Sequence, residues 1–147
     1  MAKIAVKYKN LCNALTTLET AIDILAKIKE TATQKYDPEM AHNIELGLRD
    51  STIQRFEYTI ESLWKYLKDY SEYKFASIPD IYAPKPVIRS SCQINLISEK
   101  EANLLMEMVD YRNNTSHLYK EEVAEILSGK IVHYYPVLER IVKRTKP

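Results

Sequence analysis

The run DSTIQRFEYTIESLWKYLKDY, residues 50–70, decides the fold. Ile53, Phe56, Ile60, Leu63 and Leu67 recur at three- and four-residue intervals, the period of one face of an α-helix. Trp64 joins that face. Upstream, Asp37-Pro38 has the form of an N-cap followed by a first-turn proline. The helix is therefore expected to start there, take in Leu46 and run to about Tyr73. One apolar face of that length needs partners, and the rest of the chain supplies them.

Before it, Leu11, Leu15, Leu18, Ile22 and Leu25 alternate in fours and threes, the seam of a first helix reaching about Thr33. After it, Pro79, Pro84 and Pro86 predict a loop, and Val87 to about Asn95 a short helical segment. Ser98-Glu99-Lys100-Glu101 has the capping-box form and opens a helix carrying Ala102, Leu105 and Val109. A last helix from about Lys120 carries Val123, Leu127, Ile131, Tyr134, Leu138 and Ile141, with Pro136 expected to interrupt and kink it. No segment alternates with period two for long enough to be a strand. The expected fold is all-α, an antiparallel four-helix bundle with an additional short helix, as a single domain over residues 1–147.

Composition agrees. A chain of 147 residues buries roughly 70% of its unfolded surface and needs no metal or disulfide to hold a core. Only two glycines, Gly47 and Gly129, leave little scope for tight hairpins. Lys and Arg number 21 against 20 Asp and Glu, so any nucleic-acid affinity must be local rather than global. The isolated Cys12 and Cys92 read as buried thiols of a reducing compartment. The start of the chain lacks the pattern of a signal peptide, and no run of 18 apolar residues suggests a membrane span. The expected location is the cytoplasm.

Much familiar chemistry is missing. His42, His117 and His133 are scattered, with no paired metal spacing; no glycine-rich phosphate loop and no nucleophile elbow occurs. Neither metal nor cofactor is expected. Glu57 and Glu61, four apart, suit pairing with Lys65 or Lys68 on a solvated charged face. Phe56, Trp64 and Tyr66 have the spacing of core or dimer packing rather than of a base-stacking platform, and Arg55 and Glu57 read as ion-pairing surface or interface groups.

RNNTSHLY, residues 112–119, is the stretch with chemical content. On a continuous helix Arg112 and His117 stand about 140° apart. Asn113, Asn114, Thr115 and Ser116 are mediocre helix formers, so a break there would bring the two side chains to one cleft, or to a cleft shared with a second copy. An imidazole can move a proton near neutrality, and a guanidinium can hold phosphate oxygens. Together they suit attack of an RNA 2′-hydroxyl on its own phosphate, a reaction closed to DNA. From these residues alone the first reading is an interhelical turn in which Arg112 ion-pairs and His117 caps a helix end.

Residues 50–70 resemble the signature helix of the HEPN-domain proteins of the HepT type, also described as nucleotidyltransferase substrate-binding proteins. PKPVIRSSCQINLIS looks like the short helix and connector of that family, although Asn95 stands where glycine is expected. RNNTSHLY matches its R-x4-H-x-Y pattern, with Asn after the Arg. The resemblance implies a homodimer with two motifs around one cleft, and the toxin of a type VII-like toxin–antitoxin pair acting as a metal-independent endoribonuclease. By the same resemblance Arg112 and His117 are catalytic and Asn113 supports them. Tyr119 accepts AMP from a cognate minimal nucleotidyltransferase antitoxin, which blocks RNA by added charge and bulk. The alternative is a non-catalytic substrate-binding subunit of a two-component nucleotidyltransferase. Lys120, Arg140, Lys143 and Arg144 read as a solvated helix end that can also lend local positive charge.

Overall fold

The computed structural model describes residues 2–117 and 121–147, the side chains of residues 2 and 115–117 excepted. Five helices follow in order: α1 (Ala2–Lys35), α2 (Pro38–Phe75), α3 (Pro84–Gln93), α4 (Glu99–His117) and α5 (Glu121–Arg144). No strand occurs among the described residues. Four long helices and the short α3 make the antiparallel bundle that the apolar spacing requires.

The starts of α2 and α4 are set by local chemistry. Asp37 is extended, its carboxylate accepts the Met40 N–H at 2.8 Å, and Pro38 occupies the first turn. At α4 the capping box is reciprocal: the Glu101 N–H donates to Ser98 Oγ at 3.1 Å, and the Ser98 N–H donates to Glu101 Oε1 at 2.9 Å. The chain turns into left-handed backbone at Ala76 (φ 50°) and Asn95 (φ 62°). Asn tolerates that region better than most residues, so the connector after α3 closes without the glycine expected there. Leu96 and Ile97 then drop into the core.

Two helix starts and one expected interruption differ from the sequence reading. α1 starts nine residues before Leu11, because buried Ile4 continues the seam one heptad upstream. α3 starts at Pro84 rather than Val87, since proline is well suited to a first turn. Pro136, expected to interrupt the last helix, lies inside an unbroken α5. It is flanked by buried Tyr134, Val137 and Leu138, and Val132, whose carbonyl loses a donor, is on the exposed side.

The core gathers most of the residues that spacing picks out, Leu46 and Val123 being only half-buried. Leu11, Leu15, Leu18, Leu25, Ile53, Phe56, Ile60, Leu63, Trp64 and Leu67 are buried, with Ala102, Leu105, Val109, Leu127, Ile131, Tyr134, Leu138 and Ile141. Ile22 packs against them from the rim. Phe56 is 0% exposed and stacks on Tyr134, ring centroids 5.9 Å apart, joining α2 to α5. Buried Trp64 and Tyr66 likewise belong to the packing, as expected. α1 and α2 meet over small groups: Ala14 and Ala21 on one side, Thr52 and Thr59 on the other, all buried. The two threonine hydroxyls bond back to Leu48 and Arg55 carbonyls at 2.8 and 2.7 Å, so they enter the interior satisfied. The cysteines depart from expectation. Both are free, but each is only half-buried, because Cys12 and Cys92 sit at the edge of the apolar faces.

Candidate functional site

The polar run after Arg112 does not break the helix. α4 is continuous to His117, so the convergence expected from a break at residues 113–116 does not arise within one chain. Packing explains this: Leu105, Met108 and Val109 fix the preceding turns, and weak propensity over four residues yields to it. Positions 112 and 117 therefore remain about 140° apart around one axis. The His117 side chain and all of Tyr119 and Lys120 lie outside the described residues.

Arg112 is held from α2. A terminal nitrogen of its guanidinium lies 3.1 Å from Glu61 Oε2, the two side chains being 32% and 28% exposed. Glu61 is held in turn: the Trp64 indole N–H donates to Oε2 at 3.1 Å, and Lys65 Nζ is 3.0 Å from Oε1. Burial pushes the Glu61 carboxyl up, but the Trp64, Lys65 and Arg112 donors together bring it below the ordinary carboxylate value. The carboxylate is thus ionised at neutral pH. A solvated face describes Glu61 incompletely, then: the Lys65 pair is present, while Lys68 turns to Asp69 and Glu72. Asn113, next in the motif, is exposed. Arg55 bonds the Thr17 carbonyl of α1 at 3.0 Å.

The far side of the motif is also held from α2. Arg49 is 2% exposed, yet its guanidinium reaches Glu121 at 2.7 Å, Glu125 at 2.7 Å and Asp50 at 3.0 Å. Those carboxylates remain in water, so the buried cation is compensated without burying three anions. The Arg49 hydrogen bond holds the Glu121 carboxyl below its usual range. α2 therefore grips the chain before the motif's variable middle and just after it.

Around this frame, Lys85 pairs with Asp110 at 2.6 Å, and Lys130 pairs with Glu107 at 2.8 Å while lying over the Tyr111 ring. The Tyr134 hydroxyl donates to Glu107. Burial, with the Glu107 bond, pushes its pKa up, so it stays protonated. At the α5 end, Arg140 is exposed, Lys143 faces Glu139 at 3.8 Å and Arg144 is engaged by Glu101. A groove of about 520 Å³ between α3 and α4 is lined by Lys85, Arg89, Cys92, Gln93, Asn103 and Met106 among others, and Arg112 is not part of it. Among the described residues no cluster of three or more His, Cys, Asp or Glu offers a metal site. No helix among them is long and apolar enough to cross a membrane.

Glu101 carries a pH dependence. Arg144 donates to it from both terminal nitrogens, at 2.7 and 3.0 Å, and the Ser98 N–H adds a third bond. The Arg144 bonds first, then those from Ser98, hold its carboxyl below the ordinary 4.5 against the opposing effect of burial. Because the folded value is the lower one, the stabilisation is complete above about pH 4.5 and is lost as pH falls through the folded value. Glu101→Gln is expected to flatten the acid limb of the stability profile, measured by urea unfolding from about pH 7 to about pH 3. An unchanged slope would mean that this carboxylate does not control acid unfolding.

Comparison with known proteins fits this architecture. A protein of Thermus thermophilus is 34% identical, covers 88% of this chain and 99% of its own, and superposes with a TM-score of 0.64. A toxin–antitoxin complex with AMP-PNP contains a chain 19% identical, with 92% and 97% covered and a TM-score of 0.66. A tri-AMPylated Shewanella oneidensis HEPN toxin in complex with MNT antitoxin is 19% identical, with 91% and 94% covered and a TM-score of 0.64. No protein of curated function matches the sequence. The helical arrangement is thus HEPN-like. The model of the family described as "nucleotidyltransferase substrate binding protein like" matches residues 6–146, and the chain belongs to that family, the HepT type.

Proposed function

We propose that this protein is the toxin of a toxin–antitoxin pair, a metal-independent endoribonuclease silenced by AMP transfer to Tyr119 from a cognate minimal nucleotidyltransferase. The observation that carries this reading is the placement of the R-x4-H-x-Y motif. Its stretch from Arg112 to His117 closes α4 in a chain whose family match is nearly complete, with Arg112 braced and partly open to solvent. Structures of similar fold belong to toxin–antitoxin complexes, and one of those toxins is tri-AMPylated.

In this mechanism His117 takes the proton of an RNA 2′-hydroxyl, whose oxygen attacks the adjacent phosphorus. The 5′-oxygen leaves and takes a proton from solvent, giving a 2′,3′-cyclic phosphate and a 5′-hydroxyl end. Arg112 balances charge building on the non-bridging oxygens. Asn113, exposed beside Arg112, supports the substrate with a hydrogen bond. Two copies of the chain share the cleft, since one continuous α4 separates positions 112 and 117. AMP transfer joins the Tyr119 oxygen to the α-phosphorus of ATP with release of pyrophosphate, and the product anion repels an incoming RNA phosphate.

The family's own description favours a second reading, a non-catalytic subunit that presents a substrate, or Tyr119 itself, to the nucleotidyltransferase. One experiment separates them. Protein shown by intact mass to be unmodified is incubated in EDTA with RNA and with DNA of matched sequence. The toxin reading expects RNA loss with cyclic phosphate ends and intact DNA. It also expects Tyr119→Phe to cut RNA but resist silencing by the nucleotidyltransferase and ATP. Intact RNA beside a folded dimer, with AMP transfer still proceeding, establishes the subunit reading instead.

A further inference from the structure

We infer that Glu61 is a positioning residue for Arg112, a fixed carboxylate on α2 that orients the guanidinium toward the scissile phosphate. This rests on the proposed ribonuclease reading. The geometry is that of a built anchor rather than a casual surface pair. Exposed ion pairs of two long side chains contribute little to stability and sample many geometries. Here the anion is immobilised before it meets Arg112. One oxygen takes the Trp64 indole N–H at 3.1 Å, from a side chain that is itself buried, and the other takes Lys65 at 3.0 Å. Trp64 is fixed further by Tyr82, ring centroids 5.2 Å apart, on the loop before α3. The chain of restraint runs from the core through Trp64 and Glu61 to Arg112.

A carboxylate so placed has an effect that a stabilising pair does not. It offsets part of the Arg112 charge before substrate arrives, so it gives nothing to the attraction of RNA. Its contribution appears in orientation, and therefore in turnover rather than in binding. Glu61 touches no reacting atom and acts through Arg112 alone. With three donors around it and a lowered pKa, it is poorly suited to accept a proton itself.

The test uses the full-length protein with Glu61→Ala and Glu61→Gln, each checked for native helicity and thermal stability. Glu61→Ala is expected to lower kcat about 10–100-fold with KM for RNA unchanged or reduced. Glu61→Gln, which keeps an acceptor oxygen at the same reach, is expected to recover much of the loss. In parallel, the Arg112 Nε–H resonance of 15N-arginine-labelled protein, assigned by its loss in Arg112→Ala, should move or broaden in Glu61→Ala and much less in Glu61→Gln. A kcat that rises, or falls only in proportion to unfolded protein, overturns the proposal, as does an Arg112 resonance that ignores both substitutions. If wild-type protein cuts no RNA but the resonance responds as expected, the ribonuclease reading fails and the positioning of Arg112 stands.

Discussion

Arg112→Ala is expected to lower RNA cleavage by a factor of about 10²–10³, the usual effect of removing a group that meets charge developing in a transition state. His117→Ala is expected to cost about 10²–10⁴, as for loss of a positioned general base. Arg112 is not among the buried core residues, so Arg112→Ala should keep wild-type helicity and melting temperature, and the same two measurements are made on His117→Ala. The continuous α4 adds a sharper expectation. With positions 112 and 117 on divergent faces of one helix, the proposed active pair is expected to need one group from each of two copies. Mixing the two inactive variants under conditions that exchange subunits should then restore a fraction of the activity. Gel-based cleavage of end-labelled RNA reads all three results. Full activity in either single variant would remove the motif from the mechanism, and no recovery on mixing would place both groups of each site in one chain.

The largest effect on stability is expected at Phe56. It is 0% exposed, and its ring stacks on Tyr134 between α2 and α5. Phe56→Ala removes most of a buried ring and leaves a cavity that the surrounding helices fill only partly, at a cost of about 3–5 kcal/mol. For a chain of this size that is a fall in Tm of roughly 6–20 °C. Phe56→Leu, which retains most of the apolar volume, should lose much less. Calorimetry or thermal circular dichroism decides it; a loss under about 1 kcal/mol in the alanine variant would mean the core refills. The loss also reaches the site, because the same two helices carry Arg49 and its partners Glu121 and Glu125.

The helices were legible because each rests on a local rule. Asp37-Pro38 and Ser98 with Glu101 announce starts, and the three- and four-residue spacing of α2 names its buried face before any contact is known. Boundaries were less so at α1 and α3, where one buried residue, Ile4, or a first-turn proline shifts the start. The Thr52–Thr59 seam escaped notice, since a threonine satisfied by its own helix looks polar in a sequence yet packs as a small apolar group. At the site, the motif itself was visible, but the fate of its polar run was not. Propensity favours a break at residues 113–116, and packing upstream carries the helix through. Glu61 was seen only with its neighbours on α2, because a pair between residues 61 and 112 depends on which helices meet, which no local spacing encodes.

Both grips on the motif come from α2, and this gives that helix a fixed gauge. Glu61 takes hold at Arg112 and Arg49 at Glu121, so the two anchors run along α2 in the opposite direction to the segment they hold. By helix geometry they stand about 18 Å apart on the axis. One residue inserted between them would turn one anchor by about 100° and shift it by about 1.5 Å against the other. The stretch from Arg49 to Glu61 is therefore locked in length to a segment far along the chain. In the loop after Phe75 the tie to this frame is Tyr82 against Trp64, so a change of length is better borne before that residue.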